Sequence, residues 1–218
     1  MNLPIFSEHK KEFQLERLIL FSDAVFAIAI TLLVIDLKIP ELSEPVTELK
    51  LVNALLSLLP KIIGFLLSFF LIGLYWTIHH RLFGFVIAYT QRLLWLNLFF
   101  LLGIVLLPFT TAFYSEYTFN FLKTPIIIYS LNFCYIGLMS FSLWKYVSSS
   151  KNNLSDNLSP LLAEYYTLRA IAIPIIFAII IVVSLFNPKL AIYIPPLTPV
   201  FMWMIGRFYK KRLNKTNV

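Results

Sequence analysis

Apolar residues run along this chain in blocks of about twenty, the length at which a helix crosses the hydrocarbon core of a bilayer. The blocks predict six spanning helices, over 17–38, 62–83, 93–113, 125–147, 165–186 and 190–209. The first closes before IPELSEP, an acidic stretch marked by proline. LVNALLSLL (51–59) is set off from the second span by Pro60 and Lys61, so it reads as a short helix lying in the interface. Pro108, Pro174, Pro196 and Pro199 fall inside apolar blocks, where membrane helices accommodate proline as kinks.

Composition agrees with this pattern. The chain has 218 residues, 59% hydrophobic and 13% charged. With a mean hydropathy of +0.81, it cannot be a soluble domain. The fold class is all-α integral membrane, as one six-helix domain over 1–218 with short tails, because no loop is long enough for a second domain. The net charge of +7 reads as a topology signal and implies no nucleic-acid partner. Six spans bring both termini to one side. That side receives 13 of the 18 Lys and Arg residues, from Lys10, Lys11 and Arg17 to the KKRLNK tail. The other side holds Lys38, Lys50, Lys61, Lys123 and Lys189, so both termini are placed in the cytoplasm. The tail can also touch anionic membrane lipid. The polar first sixteen residues and the lack of a small-residue cleavage site argue against a signal peptide. The single cysteine, Cys134, reads as a packing residue.

Catalytic groups are sparse. No serine sits in a nucleophile elbow, no paired carboxylates occupy one span, and no nucleotide loop is visible. The reading is therefore not an enzyme, with no cofactor. His9 lies in the polar N-terminus, and His79 and His80 are adjacent at the cytoplasmic end of the second span. Neighbours on a helix point about 100° apart, so the pair does not suit one metal. The two read as interfacial anchors or as structural hydrogen-bonding groups. The glycines are isolated and no TVGYG-like segment is present, which excludes a re-entrant carbonyl filter.

The first span carries the strongest polar signal, Ser22 and Asp23 inside RLILFSDAVFAIAITLLV. At about 100° per residue with Arg17 at zero, Phe21, Ala24, Ile28, Thr31, Leu32 and Ile35 all fall within about 60° of Arg17. Ser22 falls near 140° and Asp23 near 240°, on the opposite half. A carboxylate is costly against lipid, so Asp23 should meet polar protein. Trp76, His79 and His80 on the second span and Trp95 and Asn97 on the third lie in a similar layer and can donate hydrogen bonds. Ser22 and Asp23 are thus expected to clamp the first helix to the next two through some of these groups.

RLILFSD fits the RxxxFSD signature, and the chain resembles the transmembrane protein 175 family of potassium channels. SDAVFAIAITLLV, the WTIHHR end of the second span and the six-span length extend the likeness. The resemblance implies a potassium-selective channel of the prokaryotic single-repeat type in the cell (inner) membrane. It implies a homotetramer with the first helix of each copy around one pore, and potassium as permeant rather than cofactor. By position relative to FSD, Ile28 matches the family's constricting aliphatic residue and Thr31 the threonine tied to selectivity. Leu32 and Ile35 would add apolar layers. Arg17 and Phe21, with Ser22 and Asp23, make up the signature itself. A cation ring at Arg17 would repel potassium, so Arg17 is expected to face a neighbouring subunit. The competing reading is a proton-coupled secondary transporter using Asp23, His79, His80 and Arg169, which predicts discontinuous helices and a mid-membrane cavity.

Overall fold

The structure is a computed structural model that describes residues 4–117, 120–156 and 158–216, with side chains described within 12–209. His9, Lys10, Lys11 and the tail side chains from 210 onward lie outside the described ones. Among the described residues eight α-helices follow in order: α1 Pro4–Leu32, α2 Glu48–Ser57, α3 Leu59–Phe83, α4 Gln91–Tyr117, α5 Lys123–Val147, α6 Pro160–Phe186, α7 Pro188–Ala191 and α8 Thr198–Thr216. Six segments of the described residues are long and apolar enough to cross a membrane, the last formed jointly by α7 and α8.

Three boundaries differ from the hydropathy pattern, each for a physical reason. α1 starts well before Arg17, because the polar stretch EHKKEFQLE is made mostly of good helix formers. Hydropathy marks only the embedded part of such a helix. At its other end α1 tightens into a 3-10 turn over Leu33–Asp36. The sixth span is not one helix over 190–209. It breaks after Ala191 and resumes through a 3-10 turn at Pro195–Leu197, because Pro195, Pro196 and Pro199 supply no backbone N–H. By contrast, Pro108 and Pro174 sit inside continuous helices. α2 forms where the interfacial segment is expected: Thr47 Oγ1 caps it by accepting from Lys50 N at 3.3 Å, and none of its residues is buried.

α4 packs on α1, α3 and α5, and α6 packs on α5 and α8. Helices in lipid gain little from hydrophobic burial against one another, so close packing and internal polar bonds hold them. Gly103 admits Ile136 and Gly137 admits Pro174, so closely that a Cβ at either glycine would collide with its neighbour. Phe133 stacks on Phe177 at 4.4 Å between centroids. Thr111 Oγ1 donates to Ser68 Oγ at 2.8 Å, and Ser68 Oγ meets the Tyr129 hydroxyl at 3.0 Å. Cys134 is half-buried, its Sγ 3.4 Å from the Pro174 carbonyl. Between the bundle's loops, Ile87 N donates to Leu154 O at 2.9 Å and Asp156 N to Phe85 O at 3.1 Å, which ties the α3–α4 and α5–α6 connections together.

Candidate functional site

α1 has two contrasting faces. Leu18, Ser22, Phe26, Ala29 and Leu33 are all buried. Their spacing of four, four, three and four residues is one helical stripe. It is packed against α3 and α4. Across the helix, Arg17, Phe21, Ala24, Ile28, Thr31, Leu32 and Ile35 are exposed, Ile28 at 58% and Ile35 at 65%. The 3-10 turn advances about 120° per residue, so Ile35 sits roughly 60° from the place a continued α-helix would give it. It still faces outward. Thr31 donates its hydroxyl proton to the backbone, with Ala27 O at 3.0 Å and Ile28 O at 2.9 Å. The oxygen lone pairs are left on the exposed side, where they can accept from a ligand or meet a cation.

The buried face holds a one-way chain of hydrogen bonds. His79 Nε2 is 2.8 Å from Asn97 Oδ1. Asn97 Nδ2 donates to Ser22 Oγ at 2.8 Å, and Ser22 Oγ donates to Leu18 O at 2.7 Å. Because Asn97 spends its amide on Ser22, its carbonyl accepts, and the His79 proton is on Nε2. Three helices, α3, α4 and α1, are thus linked through three groups almost wholly sealed from solvent. His79 is also held in an aromatic cage, with ring centroids 5.5 Å from Phe26, 4.4 Å from Phe83 and 5.5 Å from Phe100. Asp23 sits at the edge of this face, and its Oδ1 accepts from Trp76 Nε1 at 2.9 Å.

The five candidate donors therefore divide. Trp76 meets Asp23, while His79 and Asn97 meet on the Ser22 side. His80 is exposed and stacks on Trp76 at 5.5 Å. Trp95 is exposed and packs beside Phe99, on the outer side of α4. The histidine pair is not a pair of interfacial anchors: one residue turns into the core and the other out. Sequence reasoning missed the cage. Its signal was the apolar stripe of Phe26, Ala29 and Leu33 in step with Ser22. Among the described residues, no group of three His, Cys, Asp or Glu side chains could hold a metal.

The profile of the family described as the endosomal/lysosomal potassium channel TMEM175 matches residues 17–108. A potassium channel of Chryseobacterium sp. is 30% identical over 205 residues, which cover 92% of this chain and 96% of that protein. The chain belongs to the TMEM175 family. A potassium channel of Chamaesiphon minutus is 36% identical over 137 residues, 62% of this chain and 67% of that one. The crystal structure of a lysosomal potassium-selective channel TMEM175 homolog from Chamaesiphon minutus superposes with a TM-score of 0.75 at 28% identity, covering 88% of this chain and 97% of that one. The TMEM175 family is one of ion channels, not enzymes. Its matched segment takes in α1 from Arg17 on, α3 and most of α4, and so all five residues of the polar contacts: Ser22, Asp23, Trp76, His79 and Asn97.

Proposed function

We propose that this chain is a potassium-selective channel, assembled as a homotetramer with α1 of each copy lining a central pore. The observation that carries the reading is the division of α1. One face is sealed to its own subunit by Ser22, Phe26 and Leu33, and the other is exposed over the whole embedded length. The names of the relatives support the same activity.

In this reading four Ile28 side chains meet on the axis and form an apolar constriction that gates by dewetting. An ion sheds water to pass it. Potassium holds its hydration shell more loosely than sodium, so its barrier is lower. The Thr31 oxygen, its proton already given to the backbone, supplies a partial replacement ligand one turn further on. Leu32 and Ile35 extend the narrow apolar zone. Such a pore discriminates less sharply than a ring of carbonyls. Arg17 lies beside Phe13, 5.7 Å from the ring centroid, and is assigned to a contact with the next copy rather than to the ion path.

The test is potassium and sodium flux in liposomes. Ile28→Asn is expected to raise the leak and narrow the potassium-to-sodium ratio. Thr31→Val is expected to narrow the ratio alone. Unchanged flux and ratio in Ile28→Asn would remove that residue from the pore.

One observation favours the transporter alternative, the discontinuous sixth span. The break takes up residues 192–197, within the first half of that span. Saturable flux coupled to a proton gradient would nonetheless favour the transporter.

A further inference from the structure

A groove of about 1260 Å³ runs along the outside of the bundle between α3 on one wall and α6 with α8 on the other. Its two ends differ in chemistry. Toward the outer side it is apolar, lined on α3 by Ile63, Leu66 and Phe70 and across from them by Pro196 and Pro199. Toward the cytoplasmic side it receives three arginines, each from a different helix: Arg81 near the end of α3, Arg169 early in α6 and Arg207 in α8. Among the described residues no Asp or Glu lines the groove.

Three guanidinium groups lining one groove between membrane helices are costly beside hydrocarbon unless an anion meets them. Arg169 is the sharpest case. One of its nitrogens donates to the Tyr165 hydroxyl at 3.0 Å, while its Nε is buried with no hydrogen-bond partner. Arg207 lies over the Trp203 ring at 4.9 Å, which fixes the head at the mouth of the groove. Arginine forks bind phosphate oxygens two at a time, so three of them lining one groove suit a phosphate group.

We propose that this groove is a binding site for one anionic phospholipid of the cytoplasmic leaflet. The phosphate sits among Arg81, Arg169 and Arg207, and the acyl chains lie along Ile63, Leu66 and Phe70. A basic pocket between membrane helices on the cytoplasmic side is the setting in which acidic headgroups are recognised. The apolar half gives the tails a surface continuous with the bilayer. The occupant is a lipid rather than a soluble anion because the charged and apolar halves form one groove. The site lies on the far side of α3 from the buried chain of His79, Asn97 and Ser22. It does touch that machinery at one point, because Trp76 lines the groove and holds Asp23 of α1.

The full chain in detergent can be titrated with brominated phosphatidylglycerol and, separately, brominated phosphatidylcholine, with tryptophan fluorescence as the readout. Trp203 and Trp76 line the groove, so bromine on a bound acyl chain quenches them. Preferential quenching by phosphatidylglycerol, reversed by the unbrominated lipid, is expected. Arg169→Gln should weaken it about tenfold, the loss of one charge-assisted contact. Arg207→Gln, at an exposed position on α8, should weaken it without disturbing the fold. Lys145→Gln, a cytoplasmic-end charge outside the groove, should leave it unchanged. Equal quenching by the two lipids would reduce the groove to ordinary annular lipid and overturn the proposal. Loss of the signal to inorganic phosphate at matched ionic strength would make the occupant a soluble anion and overturn it too. Quenching that is unaltered in both arginine variants, or the same in Trp203→Phe as in the parent, would place the lipid elsewhere. Because the readout needs no ion flux, it stands or falls apart from the channel assignment.

Discussion

At the scale of single residues, the polar groups of α1 are anchors, and their partners set the expected effects of mutation. Asn97→Leu leaves the His79 Nε2–H without an acceptor in a sealed site and removes the donor to Ser22. An unpaired buried polar group costs roughly 1–3 kcal/mol, so thermal unfolding in detergent should shift by that amount. An unshifted transition would mean that the chain of bonds carries no stability. Trp76→Phe keeps the ring and removes the proton given to the Asp23 carboxylate. A hydrogen bond to a charged group contributes about 1.5–3 kcal/mol, discounted here because Trp76 is partly exposed, so a loss near 1 kcal/mol is expected. Asp23→Asn in the same assay should cost less, because the amide oxygen still accepts. Helical angles in the sequence were enough to turn Ser22 and Asp23 away from the Ile28 stripe. They could not choose among donors, since Trp76, His79, His80, Trp95 and Asn97 occupy one layer. That choice depends on how α3 and α4 rotate about their own axes, which packing decides.

At the scale of elements, hydropathy reads the embedded runs and little beyond them. The blocks located all six spans, because crossing hydrocarbon demands a long apolar run with its backbone bonds satisfied internally. They did not mark the N-terminal extension of α1 or the break between α7 and α8. The first is polar helix outside the membrane, and the second is a local consequence of three prolines close together. The packing of α5 on α6 rests on a point no hydropathy scale sees. Gly137 lies so close to Pro174 that a side chain there has no room. Gly137→Val should force the helices apart and destabilise the protein by about 1–3 kcal/mol, read as a lower unfolding temperature by tryptophan fluorescence. Gly73→Ala on α3, where a Cβ would meet nothing within 4 Å, is the matching control and should be silent.

At the scale of the whole molecule, the exposed face of α1 is the surface that a single chain leaves unfilled. If four copies close around it, the purified channel has the mass of four chains by light scattering after detergent correction. Phe21 or Ile28 replaced by Lys should lower that mass or abolish flux, since four added charges would then meet on one axis. A monomeric parent protein with intact flux would contradict the assembly.

The sequence by itself determined the class and the number of spans, and its basic residues set the direction expected of them. It also set the two faces of α1. These follow from short-range rules: apolar length, basic residues at loop ends and a fixed angular step along a helix. Tertiary structure alone decided that His79 turns inward while His80 turns out, that Asp23 meets Trp76, and that three arginines far apart in the chain converge on one groove. Those facts depend on the rotation and contact of helices distant in sequence, and a periodic pattern contains no record of them. RLILFSD thus contains both kinds of information: its angles are legible in the letters, and its partners are not.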